Sequence, residues 1–242
     1  MSRLVTEFSQ HFQIVIATTP ALREEVYKIR YQVYCRELAY EPENRHPNGL
    51  EHDTYDARSI HCLLLHRPTR LYAGCVRLVL PEKGASKTNL PFERVLSDRW
   101  QSSNRAFDAS SFRGSGEVSR LAVPALFRKW QEEFPFTEHQ KRYFPLIPLG
   151  LCLGATYLAL EIKLNRVFAL MEPRLVRHLS QFRIRFQQVG NYVEFHGRRG
   201  LYQVTKEAVL YDMTPMSFIL LQTLQSQVRQ QFAHSDILRC AV

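Results

Sequence analysis

Charged residues stand where aliphatic strands are expected. Arg77 lies inside Ala73-Gly74-Cys75-Val76-Arg77-Leu78-Val79, and Glu117 and Arg120 share Glu117-Val118-Ser119-Arg120-Leu121-Ala122-Val123. A mid-strand arginine is rarely buried without a carboxylate, so an acid must come to Arg77. The nearest supply is Glu51, Asp53 and Asp56, an ExDxxD pattern just ahead of the first long aliphatic run. Three acids this close either ride in solvent, bind a metal or receive a cation such as a substrate ammonium, and solvated acids are the default. The spacing is not that of a calcium loop, and the cysteines and histidines offer no zinc pattern, so no metal is assigned. Glu117 and Arg120 would face opposite sides of a regular strand; to serve one site they require a bulged or splayed strand. The alternative is a structural ion pair. Tyr27, Arg30 and Tyr34 fall on one helical stripe, where an arginine between two rings can hold a carboxylate. From the stripe alone, a helix edge with a snorkelling arginine is the favoured reading.

The elements that must position these groups read as follows. Thr19-Pro20 is a cap and first helical residue, opening a helix over about 20–38. Ile60 to Leu65 and Leu71 to Leu80 read as antiparallel strands around the turn Arg67-Pro68-Thr69-Arg70, and Gly116 to Val123 as a third. The stretch Pro81 to Ser115 is too long for an ordinary connector. A buried helix over Leu146 to Leu164, a strand over Arg166 to Met171, a helix after Pro173, and strands around Phe186 to Phe195 and Leu201 to Thr205 follow. Thr214-Pro215 starts a last helix with the stripe Phe218, Leu221, Leu224, Val228 and Phe232, packed on the domain or on a partner. Helices and strands in this order make an α/β domain with a mixed sheet covered on both faces.

The chain has 242 residues, 45% hydrophobic and 23% charged, enough to bury a sizeable core, which argues against disorder. Its net charge is +9, calling for an anionic partner. Five cysteines without a CxxC pair read as reduced and mostly buried, hence a cytoplasmic location. Phe12 to Ala17 is the one apolar stretch near the start, so export is not indicated. Phe144 to Leu160 falls short of a membrane span and is interrupted by Pro145, Pro148, Gly150 and Gly154, so no transmembrane segment is expected, while peripheral membrane contact stays open. Gly150 and Gly154 permit close helix packing.

Arg30-Tyr31-Gln32-Val33-Tyr34, Glu51-His52-Asp53-Thr54-Tyr55-Asp56, Val76-Arg77-Leu78 and Glu117-Val118-Ser119-Arg120, in this order, resemble the pattern of acyl-homoserine-lactone autoinducer synthases and the related N-acyl amino acid synthases. With Cys35 and His196-Gly197-Arg198-Arg199, the chain looks most like the acyltransferases associated with the PEP-CTERM/exosortase system of bacteria. The resemblance spans about residues 20 to 205. It implies a GNAT-like three-layer α/β/α sandwich with a mixed, mostly antiparallel central sheet in 1–212, followed by the C-terminal helix in 213–242. It also implies transfer of a fatty acyl group from an acyl carrier protein thioester to the amine of an amino acid or related small molecule. By that carry-over Arg30, Tyr34, Tyr40, Asp53, Asp56, Arg77, Ser119 and Arg120 form the substrate region, with Glu117 as general base. Tyr34 and Tyr40 stand where the autoinducer synthases commonly have phenylalanine and tryptophan.

The residue types suit that chemistry, because an ammonium must lose a proton before it attacks a thioester, and a carboxylate can take it. Backbone N–H groups near Leu121 or Val123 are candidate donors to the tetrahedral oxyanion. Cys35 and Cys75 could be nucleophiles in a ping-pong scheme, but neither has a histidine partner in a motif, so buried thiols are expected. No permanently bound cofactor is implied. CoA-dependent GNAT members usually carry a glycine-containing phosphate loop where this chain has Pro124-Ala125-Leu126-Phe127-Arg128-Lys129-Trp130, so acyl-phosphopantetheine on carrier protein is favoured over acyl-CoA. Asn165 to Gly200 holds seven arginines against two glutamates, a net +5, and Arg198 and Arg199 are the candidate docking residues for an acidic carrier. An autoinducer synthase using S-adenosylmethionine is the nearest alternative. A basic nucleic-acid-binding module is the alternative of another class; the ExDxxD acids and the lack of a binding motif argue against it, so no nucleic acid is expected.

Overall fold

The computed structural model describes residues 2–82, 89–97, 114–128 and 136–232. A seven-stranded sheet runs in the order β1-β2-β3-β4-β5-β7-β6. Its strands are β1 (Phe12–Ile16), β2 (Ser59–His66), β3 (Leu71–Val79), β4 (Ser115–Ala122), β5 (Arg166–Met171), β6 (Gln187–Glu194) and β7 (Arg198–Thr205). Neighbours are antiparallel except β4 and β5, so the sheet is mixed and mostly antiparallel, as expected.

Helices cover both faces. On one, α2 (Pro20–Arg30) and the segment that continues it set Val26, Ile29 and Val33 against Leu63, Cys75 and Ala122. On the other, α1 (Ser2–His11), α6 (Ile147–Glu161) and α9 (Pro215–Phe232) pack with Ile14, Cys62, Leu64 and Val76. β2 is buried along nearly its whole length because both of its faces are covered, which is why it reads as an unbroken apolar run. The smaller helices are α3 (Pro91–Ser97), α4 (Ala125–Arg128), α5 (Glu138–Lys141), α7 (Pro173–Ser180) and α8 (Lys206–Asp212).

Several expectations needed correction. The first helix changes register: its α-helical part ends at Arg30 and a π-helical segment, Tyr31–Glu37, continues it. α1, β1 and α8 had no reading as elements, since each is short; α1 and β1 also pack on α9 from the far end of the chain. β1 is an edge strand whose outward groups are met by α9: Gln227 and Gln231 accept from the Ile14 and Ile16 N–H groups at 2.9 Å each. Those side chains close an edge that would otherwise invite pairing. The helical stretch Glu138–Glu161 has 24 residues and is apolar enough to cross a membrane, so the length argument fails; 72% of its apolar window is instead buried inside the protein. Gly150 and Gly154 explain how closely α6 approaches, because an added Cβ would stand 2.9 Å from Phe8 and 2.8 Å from Ile14. Of the long 81–115 excursion, residues 83–88 and 98–113 lie outside the described residues, as does Cys240. The part between them, α3, drops Phe92 onto Phe168 with ring centroids 5.0 Å apart.

Candidate active site

The ExDxxD acids turn inward, with Glu51 and Asp56 buried. They meet three arginines. Arg30 is fully buried, pairing through Nε with Glu51 and through Nη1 with Asp56 at 2.7 Å. Arg77 reaches Asp53 and Asp56 at 2.6 and 2.8 Å, and its Nε donates to Ser119 Oγ at 3.2 Å. Arg120 completes the network with Glu51 at 3.1 Å, Glu41 at 3.2 Å and Asp53 at 3.5 Å. Burial would raise the carboxyl pKa values of Glu51 and Asp56, but the guanidinium groups overcome it and hold both below the usual carboxylate range. The loop presents its acids by a local device: Asp53 caps the turn Thr54–Arg58, accepting from Tyr55 N at 2.9 Å, while Asp56 reaches back to Asp53 N at 2.7 Å.

The geometric condition placed on β4 is met by a bulge. Arg77 pairs with Ser119 but Cys75 pairs with Ala122, so one side spans two residues where the other spans three. Arg120 takes up the extra residue with φ of +53°, in the left-handed region. Its guanidinium thereby turns to the same side as Glu117, Ser119 and Arg77. Tyr34, carried by the π-helical segment, donates its hydroxyl to the Leu121 carbonyl at 2.8 Å and fixes the bulge from above.

Glu117 sits opposite Val79 on the same face as Arg77, 3% exposed. Burial pushes its carboxyl pKa up to about 8, against the pull of the Phe92 N–H, Arg77 and Arg120. That N–H donates to Glu117 Oε2 at 2.8 Å. Here the backbone of Phe92 matters as well as its ring, a role that no side-chain pattern announces.

A pocket of about 880 Å³ opens on this cluster, and its wall includes Tyr34, Tyr40, Asp53, Arg77, Glu117, Ser119, Arg120, Leu121 and Arg199. Arg30 and Asp56 do not reach the pocket; they brace Glu51, Asp53 and Arg77 from behind, so the snorkelling reading of Arg30 is overturned. Val123 faces a second, apolar cavity of about 580 Å³, with Leu126, Phe127, Phe136, Phe144 and Pro148. Glu172 and Leu175 belong to both walls. Arg198 and Arg199 part company: Arg198 lies over the Tyr192 ring at 4.1 Å, whereas Arg199 turns inward to Glu172 at 3.2 Å and over Tyr40 at 5.8 Å. They do not form one docking patch. Sequence reasoning missed Glu41 and His196 as wall residues; His196 stacks on Tyr40 at 4.8 Å, from a hairpin tip whose approach is set by the sheet. Burial pushes the Cys35 and Cys75 thiols up to about 11 and about 12, away from a thiolate. Burial also lowers His61 to about 4, leaving it neutral 3.6 Å from Asp56.

β4 and β5 pair over Ser115–Glu117 and Arg166–Phe168 alone, so the two parallel strands part just beyond Glu117. Residues 29–132, which include α2's end, the acid loop and all of β4, match the family described as acetyltransferase (GNAT) domain. Over those residues the chain is similar to a GNAT domain. Its structure is similar to that of the AHL synthase LasI, with 15% identity, a TM-score of 0.54, and coverage of 84% of this chain and 97% of that one. It is similar to BjaI, a CoA-dependent acyl-homoserine lactone synthase solved with SAM and isopentyl-CoA, at 18% identity and TM-score 0.55, covering 91% of this chain and 88% of that one. TofI, in a ternary complex with an inhibitor and MTA, matches at 16% identity and TM-score 0.55 over 89% of this chain and 99% of that one. At these identities the likeness is one of fold. No curated protein matches by sequence.

Proposed function

We propose that this GNAT-like chain moves a fatty acyl group from the thioester of acyl carrier protein to the amine of an amino acid or related small molecule, with Glu117 as general base. The observation that carries the reading is Glu117 itself, a buried carboxyl raised to about 8 in the wall of a charge-lined pocket, at the point where β4 and β5 part. A base poised near neutral pH is what removal of an ammonium proton asks for. In this reading Asp53 and Arg77 shape the amine site, and Arg120, Tyr34 and Tyr40 line it. Glu117 takes the proton, directly or through water; the amine attacks the thioester carbonyl, and the backbone N–H groups of Leu121 and Val123 receive the oxyanion. The tetrahedral nitrogen then releases its second proton to solvent, the C–S bond breaks, and Glu117 returns the first proton to the leaving thiolate. The apolar cavity suits the pantetheine arm or the acyl chain.

An acidic carrier fits the net charge of +9, and the sequence offers no nucleic-acid-binding motif. Free buried thiols at Cys35, Cys62, Cys75 and Cys152 favour a cytoplasmic setting, and the motif resemblance favours a place beside the PEP-CTERM/exosortase-associated acyltransferases. The test is mass spectrometry of products after incubation with acyl carrier protein thioesters and amine mixtures. An N-acyl amine supports the proposal. An acyl-homoserine lactone formed only with S-adenosylmethionine would move the protein to autoinducer synthesis, and salt-dependent DNA binding without acyl transfer would reject the reading.

A further inference from the structure

The turn after β4 forms one lip of the apolar cavity, and there the chain supplies its own anion. Glu37, the last residue of the π-helical segment, places both carboxylate oxygens 3.0 Å from the Ala125 N–H and pairs with Arg128. Its side chain is 13% exposed. Arg128 in turn donates Nε to the Val123 carbonyl at 2.5 Å, so lip, π-helical segment and β4 are tied together. Lys141, Arg174 and His178 also line this cavity, with Lys141 paired to Glu138 at 2.9 Å. Of the groups around this lip, the Arg128 guanidinium and the Ala125 N–H are therefore already committed to a carboxylate.

Resting on the acyl-transfer reading above, we propose that Glu37 selects the acyl donor by repulsion. A donor whose pantetheine arm enters through this mouth brings its phosphates to the lip. The phosphodiester of a carrier-bound arm has a single negative charge, which the Arg174 side can receive. Coenzyme A brings a diphosphate and a further phosphate, and its extra charge meets the Glu37 carboxylate where a cation and an N–H would otherwise have received it. Discrimination built from an unfavourable contact against the wrong ligand needs no additional contact to the right one.

The experiment compares wild type with Glu37→Gln, whose amide oxygen can still accept from Ala125 N while the charge is gone. Dissociation constants are measured for coenzyme A and for pantetheine, and kcat/KM for acyl-CoA and acyl carrier protein thioesters of the same chain length. The expected result is about a tenfold gain in coenzyme A affinity, well above any change for pantetheine, with the acyl-CoA to acyl-carrier kcat/KM ratio rising by a similar factor. No gain for coenzyme A, or an equal gain for pantetheine, overturns the proposal, the latter because it reports a loosened cavity instead of a removed charge. Should the variant fail to fold, wild type alone reads the discrimination: coenzyme A must bind no more tightly than pantetheine, and an affinity for coenzyme A more than about tenfold above that for pantetheine overturns the assignment. Absence of transfer from either donor rejects the acyl-transfer reading, while the two binding constants still decide the role of Glu37.

Discussion

Replacing Glu117 by glutamine separates its proposed proton-accepting role from its place in the packing. Burial raises the carboxyl to about 8, so roughly one molecule in a hundred carries the carboxylate at pH 6, about one in ten at pH 7, and about half at pH 8. If Glu117 is the base, kcat/KM climbs about tenfold per pH unit below 8 and flattens above it. Glu117→Gln keeps an oxygen for the Phe92 N–H but cannot take a proton, so kcat should fall about 10²- to 10⁴-fold, with a smaller change in KM. Stability gives an independent readout. Because the folded pKa lies above the unfolded value of 4.5, the folded state holds the extra proton between those values; this group's contribution falls as pH rises, is read above about pH 6.5 where the buried histidines are neutral in both states, and is lost above about 8. The glutamine variant lacks this decline. Steady-state rates from pH 6 to 9 and thermal melts over the same range test both. A flat rate profile between pH 6 and 8, or a folded glutamine variant within fivefold of wild type, would refute the reasoning.

Arg30→Met should destabilise the protein by about 3–5 kcal/mol in urea unfolding, since it leaves Glu51 and Asp56 buried without a main counter-charge; a cost under about 1 kcal/mol would contradict the bracing role. Tyr34→Phe removes the 2.8 Å bond to the Leu121 carbonyl, for which a loss of about 0.5–1.5 kcal/mol is expected, and kcat should drop as the bulge loosens; unchanged kcat would detach Tyr34 from the site. His61 and His66 are buried neutral with pKa values lowered to about 4. Melting temperature should therefore fall as pH drops from 6.5 toward 4, because the unfolded chain binds those protons more readily. His66→Phe, inside its cage of Phe12, Phe127 and Phe136 rings, should flatten part of that decline, and an identical curve would count against it.

Much of the architecture was legible because local pattern and tertiary role agree. Thr19-Pro20 caps α2, the aliphatic runs became β2, β3, β4 and β5, and Arg77 found the Asp53/Asp56 loop that a buried guanidinium requires. The demand that β4 be irregular could also be made from the strand's two-residue period alone. Its solution could not, because an arginine at φ of +53° is held there by Glu41, Glu51 and Asp53, acids that lie far away in sequence. The π-helical segment, the Phe92 N–H on Glu117 and the separation of Arg198 from Arg199 belong to the same class. The amino-acid sequence by itself determined which groups are charged, which runs must be buried and that the two must meet. Only the tertiary structure decided which charges face the pocket and which stand behind it, since burial, pairing and the resulting pKa of each group depend on neighbours that distant segments bring.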